Sequence, residues 1–307
     1  MEAARRRVSS LCDQICAKED VHVQPCALQE ERMLRGHVAV VTGAGNGIGA
    51  ATALLLAQHG AQVVLADVDR DSCLQVERKI RSSGGESSSF VGDLMEEGVP
   101  KKLAEFAVKT YGGIDLLVNN AGFTWDAVLH KTTREQWDTM MCIHCTVPFL
   151  LVQAAEPYMR GAAKLEIEKT GKAKSRCILN ISSTSGTHGN PGQANYSTAK
   201  MGVVGLTKTL AKEWGPFNVR CNALVFGLIS TRLVKAKSEG NKIQVQGKDI
   251  PLGIPGAELE KLAGAMKIPL GRAGTPEEAA GAILLLASPY ASYISGQVLE
   301  VTGGGFL

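Results

Sequence analysis

Two strings in this sequence carry residue types and spacings that could do chemistry. The first is Tyr196-Ser197-Thr198-Ala199-Lys200. Positions four apart share one face of a helix, so a phenol and an ammonium there point into one space. A free tyrosine titrates near about pH 10, too high for acid–base work at neutrality, and a neighbouring ammonium favours the phenolate. A three-unit shift would need about 4 kcal/mol of differential interaction. A lone Tyr-x-x-x-Lys is common by chance, so its company matters. Asn180-Ile181-Ser182-Ser183 places a hydroxyl, Ser183, 13 residues before Tyr196. The second string is Cys142-Ile143-His144-Cys145. Its Cys-x-x-Cys spacing suits a metal or a redox dithiol, but no second Cys or His pair stands at zinc spacing.

A third string can hold a ligand. Thr42-Gly43-Ala44-Gly45-Asn46-Gly47-Ile48-Gly49 follows the apolar run 37–42 and opens a stretch of helical spacing, 47–60. Glycines let the backbone approach a pyrophosphate, and a helix N-terminus offers free N–H groups to its charge. The strand before, the helix after and an acid 24 positions past Gly43 raise this above a mere tight turn. That acid, Asp67, ends the apolar run 62–67. A carboxylate there can accept from the adenosine ribose hydroxyls and repels a 2′-phosphate, and Asn46 adds no positive charge. Both favour NAD(H) over NADP(H). The plainer alternative is that Asp67 only caps a turn.

These strings need elements to position them. Further strands are expected at 88–92, 114–118, 176–181, 219–224 and 297–301, separated by helical stretches. Apolar strands alternating with helices predict an α/β fold, a Rossmann-type doubly wound parallel sheet in three layers, α/β/α. One domain over 35–307 suffices. Residues 1–34 read as an N-terminal extension, a disordered, docking or targeting arm. Arg5-Arg6-Arg7 suits a presequence, whereas Asp13, Glu19 and Asp20 do not. The polar stretch 161–175 reads as a surface insertion, and 233–268 as a substrate loop or lid. Thr275-Pro276-Glu277-Glu278 predicts a capped helix start. Thirty-three Lys and Arg against 30 Asp and Glu give a net charge of +3, too mild to point to nucleic acid. No apolar run of about 18 residues suggests a membrane span. Eight scattered cysteines suit a reducing compartment, the cytoplasm first and the mitochondrion as the alternative.

Taken together, the strings resemble the short-chain dehydrogenase/reductase family in its single-domain form, over residues 35 to 305. The matching motifs are Thr-Gly-x-x-x-Gly-Ile-Gly at 42–49, Asp93-Leu94, Asn119-Asn120-Ala121-Gly122, Ser183, and Tyr196-x-x-x-Lys200. Gln193-Ala194-Asn195-Tyr196 and Ser295-Gly296-Gln297-Val298 look like the branch of 3-oxoacyl-thioester reductases. The resemblance implies that Tyr196 is the general acid in reduction and base in oxidation, that Ser183 bonds the substrate oxygen, and that Lys200 binds the nicotinamide ribose and biases Tyr196. It implies that Gly43, Asn46, Gly47, Ile48 and Gly49 cradle the cofactor with Asp67. Asp93 and Leu94 would meet adenine, Asn120, Ala121 and Gly122 would line the cofactor path, and Ile229 and Thr231 would hold the carboxamide. It also implies a homotetramer built on helices near 145–160 and 196–214. No metal is implied.

Aligning Trp137-Asp138 with the family's Trp-Asp puts His144 where relatives carry a fourth catalytic residue, an Asn that kinks the helix and holds a water behind the Lys. The Cys-x-x-Cys then reads as incidental. An imidazole at 144 either continues a proton relay or is a satisfied core histidine; the sequence leaves both open. Phe226-Gly227 replaces the usual Pro-Gly and is expected to reshape the substrate mouth. The expected reaction is hydride transfer between NAD(H) and a 3-oxoacyl or 3-hydroxyacyl thioester. A steroid or small hydroxy-ketone is the alternative substrate, and a non-catalytic NAD-binding subunit the alternative of another kind.

Overall fold

The computed structural model describes residues 32–306, apart from 237, 239, 246 and 255–257. The expected extension therefore lies almost wholly outside the described residues. Leu34 already belongs to the packed domain: it is buried, and its N–H donates to His59 O at 2.9 Å.

Seven parallel strands form the sheet, in the order β3-β2-β1-β4-β5-β6-β9. They are β1 (Val38–Thr42), β2 (Gln62–Asp67), β3 (Glu86–Val91), β4 (Leu116–Asn119), β5 (Arg176–Ser183), β6 (Val219–Phe226) and β9 (Val298–Val301). All five residues of β1 and all eight of β6 are buried, as expected of strands covered on both faces. On one face lie α1 (Gly47–Gln58), α2 (Arg70–Ser82) and α8 (Pro276–Ala287), with Leu56, Ile80 and Ile283 in their shared core. The other face carries α3 (Val99–Tyr111), the long α4 (Arg134–Thr170) and α6 (Ala194–Trp214), packed through Leu103, Leu151 and Leu210. Strand order reverses between β1 and β4. Loops leaving these two carboxyl ends part company and open a crevice, the usual ligand position in such sheets.

Helix α4 corrects one expectation. The polar stretch from 161 is no insertion, because it continues the helix through Ala162–Thr170 to a left-handed Gly171. Its lysines and glutamates are the solvated side of a helix whose Ala163 is buried. Two π turns interrupt α4, Cys142–Thr146 and Pro157–Gly161. Pro148 lies two residues past the first and Pro157 opens the second, and a proline has no N–H to give to the i−4 carbonyl. The helix is long and apolar enough to cross a membrane, yet Met140, Leu151 and Met159 are buried against its neighbours. The expected loop 233–268 is also more ordered than a lid without secondary structure. It contains an antiparallel hairpin, β7 (Lys242–Val245) with β8 (Lys248–Pro251), and a short α7 (Leu259–Ala265). The expected cap of α8 forms a full capping box, Thr275 with Glu278.

Candidate active site

The crevice is an open groove lined by residues of the glycine loop, the β2 and β4 ends and the 231–252 segment. One wall is the glycine loop. A Cβ on Gly49 would stand 2.0 Å from Gly43 O, and one on Gly43 would stand 2.9 Å from the Ala121 Cα, so neither position admits a side chain. Thr42 pins the two loops together. Its hydroxyl accepts from the N–H groups of Asn120 and Ala121, both at 2.9 Å, and donates to Val118 O at 3.2 Å. The Asn120 side chain donates to Thr42 O at 2.8 Å. Asn46 caps α1 by position but makes no side-chain cap bond, and its buried Nδ2 has no protein partner. A free helix terminus, a spare amide donor and glycines that leave room for close approach suit the phosphates of a dinucleotide.

Asp67 caps a turn, as the plainer reading had it, and also lines the groove. Its carboxylate accepts from Gly45 N at 2.7 Å and from Asp69 N at 3.0 Å, so it caps the turn after β2 and fastens the glycine loop. It also lines the groove, with Gly43, Asn46, Gly47 and Ile48. Asp93, Leu94, Asn120, Ala121, Gly122 and Thr231 line it as well. Ile229 differs: its side chain is buried in the core rather than on the groove wall, which leaves it only its backbone for contact. Gly49 likewise lies behind the wall.

Ser183 ends β5, and its hydroxyl accepts from Ser185 N at 3.2 Å and hydrogen-bonds the Tyr196 phenol. Tyr196 and Lys200 stand one turn apart on α6, the lysine Nζ 5.6 Å from the phenol ring centre. His144 closes the group from α4, its ring edge-on to Tyr196 with 4.9 Å between ring centres. The fold thus brings the four expected reactive residues together, yet none of them is on the groove's lining; the cluster meets that wall where His144 packs against Gly122 and Phe123.

Matches to known proteins are consistent with this constellation. The family model described as enoyl-(acyl carrier protein) reductase matches residues 43–305. The 3-oxoacyl-[acyl-carrier-protein] reductase FabG of Thermotoga maritima is 37% identical over 271 residues, spanning 88% of this chain and 98% of that one. The chain belongs to the short-chain dehydrogenase/reductase family. The (3R)-3-hydroxyacyl-CoA dehydrogenase of Canis lupus familiaris is 33% identical over 286 residues, 89% of this chain and 98% of the relative. Among solved structures, an NAD(P)-dependent protein from Beutenbergia cavernae assigned as a gluconate 5-dehydrogenase, with NADP bound at low occupancy, superposes with a TM-score of 0.74. It is 31% identical and covers 89% of this chain and 98% of its own.

The electrostatics of this short-chain dehydrogenase/reductase depart from the sequence expectation. The chain's own groups do not favour the Tyr196 phenolate. Burial pushes its hydroxyl up to about 12, opposed by the Ser183 hydrogen bond and assisted by Asp126. Burial also pulls Lys200 down to about 7. The lysine is 5% exposed, and its Nζ donates to Ile181 O at 2.7 Å. Enclosure therefore overrides the attraction inferred from the i, i+4 spacing.

Several residues that stand in the motifs with no role legible from sequence position the site. Ser182 Oγ donates to Lys200 O at 2.7 Å, tying α6 to β5. Asn195, fully buried, donates to Trp125 O and Gln136 O and accepts from Tyr196 N at 2.8 Å, which fixes the start of α6. Asn119, Asn180 and Thr207 form a buried chain of 2.8 Å bonds beneath the site. Phe226 corrects another expectation. It is 4% exposed and packs with Ile181, Leu224 and Ile229, so its ring fills core rather than shaping a substrate mouth. The Cys142 and Cys145 thiols are free, and the Cys145 sulfur lies 3.1 Å from where a Gly202 Cβ would stand.

Proposed function

We propose that this chain interconverts a 3-oxoacyl and a 3-hydroxyacyl thioester with NAD(H), working as a homotetramer. The observation that carries the reaction type is the convergence of Ser183, Tyr196 and Lys200 next to a groove walled by the glycine loop. The relatives named above support the thioester. When bound, the nicotinamide would give or take the hydride. The protein's part is to orient and to handle the proton. Ser183 donates to the carbonyl oxygen. Tyr196, protonated at neutral pH because its folded pKa is about 12, gives the proton to that oxygen in reduction. Lys200 holds the nicotinamide ribose, and Asp67 accepts from the adenosine ribose.

Asp67 supports NAD(H), because a carboxylate on the groove wall repels a 2′-phosphate. Arg232 lies on the same wall and its charge reaches Asp69, which is the observation that keeps NADP(H) in the test. A carrier-docking role for the lysine-rich loop has weaker support. Lys242, Lys248 and Lys261 pair with Asp249, Glu135 and Glu258. For assembly, exposed Phe149, Leu150 and Met201 lie on α4 and α6, where a second copy would cover them.

The test is reduction of acetoacetyl-CoA with NADH and with NADPH, using Tyr196→Phe as control. Tyr196-dependent turnover preferring NADH is expected. An NADPH preference overturns the Asp67 reading. Turnover of a small hydroxy-ketone alone, with none of the thioester, overturns the substrate.

A further inference from the structure

Gln193 lies three residues before Tyr196, and its side chain is not spent on the usual work of its position. It is the N-cap residue of α6 but makes no side-chain cap bond. Its amide reaches across the site instead. Oε1 accepts from Ser185 Oγ and from Asn190 Nδ2, both at 2.9 Å, and Nε2 donates to Asp126 Oδ2 at 3.0 Å. An ionised carboxylate only accepts, so Asp126 fixes which end of the amide faces it. Both acceptor positions of Oε1 are then filled.

These bonds join the two segments that border the reactive hydroxyls. Segment 120–127 leaves β4, and segment 184–192 leaves β5 directly after Ser183. The backbone brings them side by side: Ala127 N donates to Gly192 O at 2.9 Å, and Ala127 pairs with Gln193 in a parallel bridge. Ser185 N donates to Ser183 Oγ at 3.2 Å, so a residue that Gln193 holds also touches the reactive serine. On its other side, Gln193 O accepts from Ser197 N at 2.7 Å in the first turn of α6, next to Tyr196. The Asp126 carboxylate is near enough to Tyr196 for its charge to add to the upward push on the phenol. Asn195 ties α6 to the β4 side through Trp125 O and Gln136 O; Gln193 adds the β5 side.

We propose that Gln193 is a positioning residue: its amide clasps the segment after β4, through Asp126, to the segment after β5, through Ser185 and Asn190, and so sets the spacing of Ser183 and Tyr196. The clasp acts on the reacting geometry and not on the cofactor, because Gln193, Asp126 and Ser185 are absent from the groove wall. A substrate oxygen between the two hydroxyls needs both within hydrogen-bond reach, and a displacement of about 1 Å can cost about 100-fold in rate. The polarity of the clasp is specific. It requires a donor at 193 facing an acceptor at 126. It therefore fails when both are acceptors and re-forms when the donor moves to the other side.

The test swaps that polarity in the full chain at about pH 8, where carboxylates are ionised. The unmodified protein is compared with Gln193→Glu and with Gln193→Glu/Asp126→Asn. The single variant sets two carboxylates face to face. In the double variant the amide at 126 donates to the carboxylate at 193. The first readout is hydrogen exchange by mass spectrometry at the peptide bearing the Ala127 N–H, which needs neither substrate nor cofactor. Exchange there is expected to rise about tenfold or more in Gln193→Glu and to return most of the way in the double variant. The second readout rests on the proposed reaction. The kcat for acetoacetyl-CoA is expected to fall about tenfold or more in Gln193→Glu and to recover in the double variant, with NADH affinity unchanged in both. Equal exchange throughout, or a double variant no better than Gln193→Glu, overturns the proposal. So does a loss of kcat matched by an equal loss of NADH affinity. If Gln193→Glu does not fold, Asp126→Leu takes its place, since Asp126 is exposed; exchange unchanged from the unmodified protein then overturns the clasp. No turnover by the unmodified chain would instead count against the thioester reading, and exchange alone would decide the clasp.

Discussion

The glycine wall of the groove and the buried reactive cluster next to it are built on opposite principles. At the glycine wall, backbone groups and short side chains satisfy one another: Thr42, Asn120 and Asp67 lock the loops with bonds of 2.7 to 2.9 Å. In the reactive cluster, burial drives Tyr196 and Lys200 away from their ordinary pKa values and leaves the Nδ1 of His144 without a protein partner. The first is held in place by bonds between its two loops; the second has its protonation states set by enclosure. Shape and reactivity therefore respond to different kinds of substitution.

The largest expected effect lies in the reactive cluster. Tyr196→Phe should lower kcat by about 10²–10⁴-fold and leave NADH affinity unchanged, since it removes a proton donor and not a binding group. Stopped-flow turnover beside fluorescence titration checks this, and a parallel loss of affinity would break the contrast. Phe226→Ala should destabilise the fold by about 3–5 kcal/mol in denaturant melts with KM unchanged, as befits core rather than substrate mouth. Gly49→Ala should weaken NADH binding by about tenfold or more, because its Cβ displaces a backbone carbonyl, at about 1–3 kcal/mol. Lys200 supplies a pH test. Its pKa, held near 7 by burial, means that above pH 7 cofactor binding must also add a proton. Affinity should then fall by up to about tenfold per pH unit, with proton uptake visible in weak buffer, and both should vanish in Lys200→Met. The smallest effect is a control outside both regions. Thr275→Ala should cost about 1 kcal/mol of stability through the α8 cap and leave NADH affinity alone.

What was legible in the sequence follows the same division. The glycine loop could be read because close backbone approach demands glycine at Gly43 and Gly49, and few other needs produce that string. The sheet could be read because strands covered on both faces are continuous apolar runs. Spacing could place Tyr196 over Lys200 but not set their protonation, which depends on how deeply the surrounding chain encloses them. Motifs contained Asn195, Asn119 and Asn180, but not what they bond, because Trp125, Gln136 and Thr207 are far away along the sequence. The hairpin 242–251 was missed because its strands are four residues each and rich in lysine and polar residues, the composition of a loop.

That hairpin has a mechanical consequence. Ile243, Gln244 and Leu252 form part of the groove wall, and Ile250 and Leu252 are buried in the core cluster. A dinucleotide seated in the groove would therefore be bordered on one side by a segment held down by two aliphatic side chains and one surface ion pair, Lys248 with Glu135. Its departure requires those contacts to loosen. Residence time, and with it the pace of repeated turnover, becomes a property of a few residues remote from the bond being made or broken.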